Sequence, residues 1–341
     1  MTNYYKKLTG NSAVKQLGPG IITGAADDDP SGIATYSQAG AQFGYGLLWT
    51  VVLTYPLMVA IQLVAARLGR VTGHGLAANI RTRFPKPLLF FIVGLLLLAN
   101  IINIAADIAA MGDAVRLMTG GANHHYTAII GLVCLTLQIF MSYKRYVNYL
   151  RWLTLSLLSY VAIVFFVHVP WSGIPHAVLV PDISLNRDTI MIIVAIFGTT
   201  ISPYLFFWQA AQEVEEIHCT PGAAALNSMT HNEAKPHLSR IKLDTFIGMG
   251  FSNLVAFFII LSTAATLHAS GITDIQTSAQ AAEALRPLGG EFTFMLFSLG
   301  IIGTGLLAVP VLAGSAAYAV AECFEWRAGL NLELLEAREF Y

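Results

Sequence analysis

The sequence predicts an all-α polytopic membrane protein built from inverted repeats, each of which opens on a broken helix. Three observations carry that expectation. The 341-residue chain is 55% hydrophobic and only 11% charged, with a mean hydropathy of +0.63, far from the composition of a soluble domain. Its apolar residues gather into windows of roughly 20, the length needed to cross a hydrocarbon core. The first and sixth of these windows are interrupted at mid-span by polar residues around a proline, Asp29-Pro30-Ser31-Gly32 and Thr200-Ile201-Ser202-Pro203.

Eight spans are expected. The first covers residues 17–43 and is broken at Asp27 to Gly32; the second runs from Leu47 to Leu68 and the third from Leu88 to Leu117, with Asp107 and Asp113 in its second half. The fourth covers Tyr126 to Met141 and the fifth Leu150 to Val169. The sixth, Thr189 to Ala211, is interrupted from Gly198 to Pro203; the seventh is Phe246 to His268 and the eighth Phe292 to Ala319. The connections, Gly69 to Pro87, Trp171 to Asp188, Gln212 to Lys242 and Ala269 to Glu291, are too short for a soluble domain. The resulting division is a cytoplasmic N-terminal tail (1–16), a first five-helix repeat (17–169), a partial second repeat (189–319) and a cytoplasmic C-terminal tail (320–341). The broken helices, first and sixth, imply five spans per repeat, an odd number, so the second copy enters from the opposite side. A complete second repeat needs spans six to ten, and the chain reads as truncated after the eighth. Gly300, Gly303, Gly305, Gly314 and Ser315 in the eighth span suit close helix packing.

Orientation follows from the basic residues. With the N-terminus inside, 16 of the 19 Lys and Arg fall on the cytoplasmic side and only Arg116, Arg187 and Arg286 outside. The expected location is the bacterial cytoplasmic membrane. A net charge of −1 points to no nucleic-acid partner. The polar N-terminus has no cleavable signal pattern. Cys134, Cys219 and Cys323 are isolated, without CxxC spacing, and read as packing residues. No nucleophile elbow, P-loop or HExxH is present, so no enzyme and no prosthetic group is expected.

Broken helices at matching positions of two repeats point to a transporter's binding site. Half-helix ends expose carbonyls and amides, and a break that carries carboxylates suits a cation. Asp29, directly before Pro30, is the first ligand candidate; it would also cap the second half-helix, and the roles coexist. Asp27 and Asp28 read as charges at the cavity mouth. From the sixth span the carbonyl of Thr199 or Thr200 and the hydroxyl of Ser202 are available. All are hard oxygen donors, suited to Mg²⁺, Ca²⁺ or Mn²⁺. Weaker pathway candidates are Asp107, which lines the route or pairs with a buried polar group, and Tyr204 and Gln209, placed to bond metal-bound water. Asp113 is expected near the outer end. Glu213, Glu215 and Glu216 read as a solvated cytoplasmic cluster, and His124 and His125 as surface residues.

The run Asp29-Pro30-Ser31-Gly32-Ile33-Ala34-Thr35-Tyr36-Ser37-Gln38-Ala39-Gly40-Ala41, continuing through Phe43 to Trp49, resembles the first helix of the NRAMP family of divalent-metal transporters, which carries Asp-Pro-Gly-Asn followed by Gln-Ala-Gly. Thr72-Gly73-His74-Gly75-Leu76-Ala77 and Gly198 to Gln209 also fall where that family places them. The resemblance implies a LeuT-type fold and import of a divalent cation. Its departures are specific. The family's Asn ligand aligns with Gly32, its Ala-x-x-Met-Pro-His reads Thr199-Thr200-Ile201-Ser202-Pro203-Tyr204, and its Asp-x-x-Glu reads Asp107-Ile108-Ala109-Ala110. Loss of the soft Met and of the His and Glu that the family uses for the proton resembles the NRAMP-related magnesium transporter branch. That implies a roomier site at Asp29, Gly32, Thr199 and Ser202, carrying Mg²⁺ or Mn²⁺ without proton coupling. The alternatives are a proton-coupled Mn²⁺/Fe²⁺ transporter and a truncated, non-transporting metal-binding product. Sequence alone does not indicate an oligomeric state.

Overall fold

The computed structural model describes residues 19–120, 125–140, 153–180, 186–220 and 222–341, and the described part consists of helices joined by turns and loops, with no strand. The tail 1–16, His124, Lys144, Arg145, Arg151 and the start of the predicted fifth span lie outside the described residues. The first broken helix consists of α1 (Pro19–Asp27) and α2 (Pro30–Phe43). The gap is narrower than expected, only residues 28 and 29, because Pro30 sits at the first turn of α2, where its fixed φ and missing N–H cost nothing. After a 3₁₀ turn at Gly44–Leu47 come α3 (Leu48–Thr72), α4 (Leu76–Arg83), α5 (Lys86–Thr119) and α6 (His125–Phe140). The described part of the fifth span is a turn at Thr154–Leu157 and α7 (Leu158–Ile163), followed by a short α8 (Ile174–Leu179) in the next connection. The second broken helix is α9 (Arg187–Thr200) and α10 (Pro203–Cys219), again separated by two residues and restarted by a proline. Then follow α11 (His231–Thr266) and α12 (Ser278–Phe324).

Two helices are longer than their apolar windows. α11 begins at His231 because Thr230 and Glu233 form a capping box there, which adds a polar segment below the apolar one. α12 begins with a second capping box, Thr277 with Gln280, and is divided by Gly290, whose φ of 83° leaves the helical region. The expected connections Gln212 to Lys242 and Ala269 to Glu291 are therefore largely helical. Among the described residues five continuous helical segments are long and apolar enough to cross a membrane, and α6 is a shorter apolar helix. The outer face of α5, with Phe90, Phe91, Leu95, Leu98, Ile101 and Ile102 exposed, is the surface a lipid environment would cover.

The interior is built by glycine. Gly300 faces Ser159 and Tyr160, Gly303 faces Ser156, Gly305 faces Met111 and Gly314 faces Trp208, so α12 seats its neighbours where the small-residue stripe placed them. Asn100 of α5 donates to the Leu312 carbonyl and the Ser315 hydroxyl of α12, both at 2.8 Å. The tightest crossing is between α1 and α11, where Gly20 and Gly24 meet the backbone of Gly248. Gly24→Val is expected to destabilise the protein by about 3 kcal/mol or more, since backbone cannot retreat from an added side chain. Its unfolding temperature in detergent measures this.

Candidate functional site

Both breaks lie side by side at the centre of the bundle. Asp29 takes the N-cap position of α2 with extended backbone, and its Oδ1 accepts the Gly32 N–H at 2.6 Å and the Ser31 hydroxyl at 2.8 Å. The same Ser31 donates its N–H to Asp107 Oδ1 of α5 at 3.2 Å, so one residue ties both carboxylates together. Around Gly32, oxygens from both broken helices converge: a Cβ there would stand 3.0 Å from Thr199 Oγ1, 3.1 Å from Asp29 Oδ1 and 3.3 Å from the Asp27 carbonyl. The missing side chain therefore leaves no wide gap. The Thr199 hydroxyl fills it, and Gly32 contributes an N–H to Asp29 rather than a ligand oxygen.

On the second broken helix the sequence left open which oxygens face the site. Ser202 turns its hydroxyl back onto the Thr199 carbonyl at 2.7 Å and the Gly198 carbonyl at 3.1 Å. That occupies the Thr199 carbonyl, and Thr199 reaches Gly32 with its hydroxyl instead. Thr200 donates to Ile196 at 2.7 Å, which makes its oxygen the acceptor for the Tyr36 hydroxyl at 2.9 Å. Tyr204 donates to the Ala26 carbonyl at 2.7 Å and fastens α10 to the end of α1. Tyr204→Phe leaves that buried carbonyl unpaired and is expected to cost about 1–3 kcal/mol, read as a lower unfolding temperature. Gln209, one turn further in, donates to Thr245 of α11 at 3.1 Å.

The electrostatics are one-sided. Asp27, Asp28, Asp29 and Asp107 are all at most 2% exposed, and the groups acting most strongly on them are one another, hydroxyls and amides, with no Lys, Arg or His among these. Asp27 and Asp28, expected at a cavity mouth, are instead interior: Ser252 of α11 donates to Asp27 Oδ2 at 2.7 Å, while Asp27 Oδ1, both Asp28 oxygens and Asp107 Oδ2 make no hydrogen bond of good geometry. Buried anions without a counter-charge are costly. Among the described residues no three His, Cys, Asp or Glu side chains are grouped to hold a metal, so any ion held here draws on hydroxyl, carbonyl and single-carboxylate oxygens.

Flanking the site, Ser31, Thr35, Gln38 and Thr199 are partly exposed, whereas the residues between α1, α10 and α11 are buried. There the Gly20 N–H donates to Asp244 at 2.7 Å, and Arg240 pairs with Glu213 and Glu216, each at 2.8 Å. Glu213 and Glu215, expected as solvated charges, are buried: the polar start of α11 brings Arg240 onto Glu213, and Tyr318 of α12 with the segment after that helix covers Glu215. Asp113 is partly exposed and paired with Arg116 at 3.2 Å, and His125 is exposed. Ser31, Ser252, Asp244 and Arg240 were missed from sequence. A signal for three of them existed: Arg240, Asp244, Gly248 and Ser252 recur every four residues, a polar and small stripe on one face of α11.

Two broken helices crossing at a buried carboxylate cluster define a LeuT-type inverted-repeat membrane protein. Residues 20–341 match the family described as natural resistance-associated macrophage protein-like (Nramp), and the chain belongs to that family. It is 31% identical over 303 residues to the divalent metal cation transporter MntH of Yersinia enterocolitica, covering 86% of this chain and 69% of the relative. The MntH of Erwinia tasmaniensis is 29% identical over the same shares. Among solved structures, the Eremococcus coleocola manganese transporter in complex with an aromatic bis-isothiourea substituted compound superposes with a TM-score of 0.74 at 18% identity, covering 98% of this chain and 69% of that one. A nucleobase-cation-symport-1 family transporter in a closed conformation gives a TM-score of 0.66 at 13% identity over 91% of this chain. These two likenesses establish the fold.

Proposed function

We propose that the chain imports a divalent metal cation across the bacterial cytoplasmic membrane, with its N-terminus inside and residues 17–169 and 189–319 acting as the two repeats. The observation that carries this reading is the group of four buried aspartates with no basic partner among the described residues, set where both helices are broken. A dication supplies the missing positive charge. Asp29 is the principal ligand: the Gly32 N–H and the Ser31 hydroxyl both bond Oδ1, and Oδ2 is the oxygen it offers the ion. Thr199 Oγ1 and the Asp27 carbonyl complete a hard-oxygen set, and Ser202 shapes it by holding the Thr199 carbonyl. Asp27, Asp28 and Asp107 supply the field that draws a cation inward. The names of the MntH relatives as divalent metal cation transporters support this class of substrate.

Within that class Mg²⁺ is the ion proposed, with Mn²⁺ second, because the groups offered by Asp29, Thr199 and the Asp27 carbonyl are all oxygens and few protein oxygens suit an ion that keeps its waters. Transport runs without a coupled proton, since Ala110 and Tyr204 stand where the family's Glu and His would be. One observation favours the rival, a proton-coupled Mn²⁺/Fe²⁺ transporter: Ser31 links Asp107 directly to Asp29. Proteoliposomes with a pH dye in the lumen separate the two. Mg²⁺ uptake without luminal pH change is expected; strong Fe²⁺ preference, or protons moving with Mg²⁺, selects the rival.

A further inference from the structure

The half-helix α10 begins at the break beside Asp29 and is the element through which events at the site would reach the protein's inner end. Three glutamates hold it. Glu213 and Glu216 pair with Arg240 of α11. Glu215, on a different face, is held by α12 and by the segment that follows it. Its Oε1 accepts the Asn331 N–H at 2.8 Å and its Oε2 the Tyr318 hydroxyl at 3.1 Å, while that hydroxyl accepts the Leu330 N–H at 3.1 Å. The segment is seated by packing as well. Phe340 stacks edge-on against Tyr318 with centroids 4.8 Å apart, Ala337 and Phe340 are buried, and the Tyr341 hydroxyl donates to the Leu332 carbonyl. Glu215 is 1% exposed, and each of its oxygens has a donor.

A carboxylate buried at this depth stays charged at little cost only while those donors remain in place. Moving α10 away from α12 strips both oxygens of their N–H and hydroxyl donors at once and leaves only the long, weak contact from the Cys219 thiol of α10 itself, at 4.0 Å, so the contact behaves as a catch, with a closed and a released arrangement and little between them. We propose that Glu215 is a positioning residue: with Tyr318 and residues 329–341 it fastens α10 in the state closed at the inner end, and release of this catch accompanies opening there. The inference rests on the transport reading for its role in the cycle, but its test does not require flux.

The test places one reporter thiol, Thr245→Cys, in the full chain with Cys134 and Cys323 changed to serine and Cys219, whose thiol lies 4.0 Å from Glu215 Oε1, changed to alanine so that no new donor faces that carboxylate. Thr245 is fully buried against Gln209 between α10 and α11. A charged methanethiosulfonate reagent is applied in vesicles from the side carrying residues 222–230. Glu215→Ala is expected to raise the labelling rate about tenfold, the effect of losing a charge-assisted contact on a two-state equilibrium. Tyr318→Phe raises it about threefold. Glu215→Gln, which still accepts from Asn331 and can donate to the Tyr318 oxygen, stays within about twofold of the parent. A second reporter, Ser262→Cys in the far half of α11, labels at an unchanged rate. Unchanged Thr245→Cys labelling in Glu215→Ala would overturn the proposal. So would an equal rise at both reporters, which would mean general loosening. If labelling behaves as expected in a chain that carries no divalent ion, the transport reading fails and the catch stands.

Discussion

Replacing Asp29 with alanine is expected to weaken divalent-cation binding by about 100-fold or more, beyond what supporting residues around a metal contribute, and to abolish uptake. The side chain has two functions that one pair of variants separates. As a cap it accepts the Gly32 N–H and closes the first turn of α2; as an anion it offers its second oxygen to the ion. Asp29→Asn keeps an oxygen for the cap and removes the charge. Its unfolding temperature without metal should therefore match or exceed the parent's, because one of four crowded negative charges is gone. Its cation affinity should fall nearly as far as that of the alanine variant. Titration calorimetry with Mn²⁺ and Mg²⁺ beside thermal melts measures both. A variant that loses stability but keeps affinity would make Asp29 only a cap.

The second large effect is on selectivity. Ser202→Met restores the thioether that the family motif carries at this position and removes the hydroxyl that restrains the Thr199 carbonyl. Thioether sulfur is a soft donor that hard Mg²⁺ does not reward. Competition between Mg²⁺ and Mn²⁺ or Cd²⁺ should move toward the softer ion by on the order of tenfold, a little over 1 kcal/mol. Little change would place Ser202 outside the coordination sphere, as a helix-end residue that only satisfies carbonyls.

Much of this site was legible because its signals are covalent and local. Pro30 and Pro203 force two restarts of the helix, and a carboxylate beside such a restart inside an apolar span has few structural uses. The stripe from Gly300 to Ser315 was equally readable, since close helix packing needs small residues wherever it occurs. What remained hidden depended on helix ends and on which atoms meet. Hydropathy windows see only apolar segments, so α11 was expected to begin at Phe246, although Thr230 and Glu233 spell out its start fifteen residues earlier. Without that polar segment Arg240 and Asp244 have no place, and Glu213 reads as solvated rather than paired. The direction of the Ser202 hydroxyl, the turn of Tyr204 onto Ala26 and the filling of the space at Gly32 by Thr199 are tertiary facts, which no spacing in the chain encodes.

The most direct test of the central claim is divalent-ion uptake into proteoliposomes holding luminal Mg²⁺ and Mn²⁺ indicators, with the parent chain and Asp29→Ala compared at equal reconstitution. Saturable uptake of both ions is expected from the parent, and none above empty liposomes from the variant. Uptake by Asp29→Ala at the parent's rate, or no uptake of either ion by a folded parent chain, would contradict the claim.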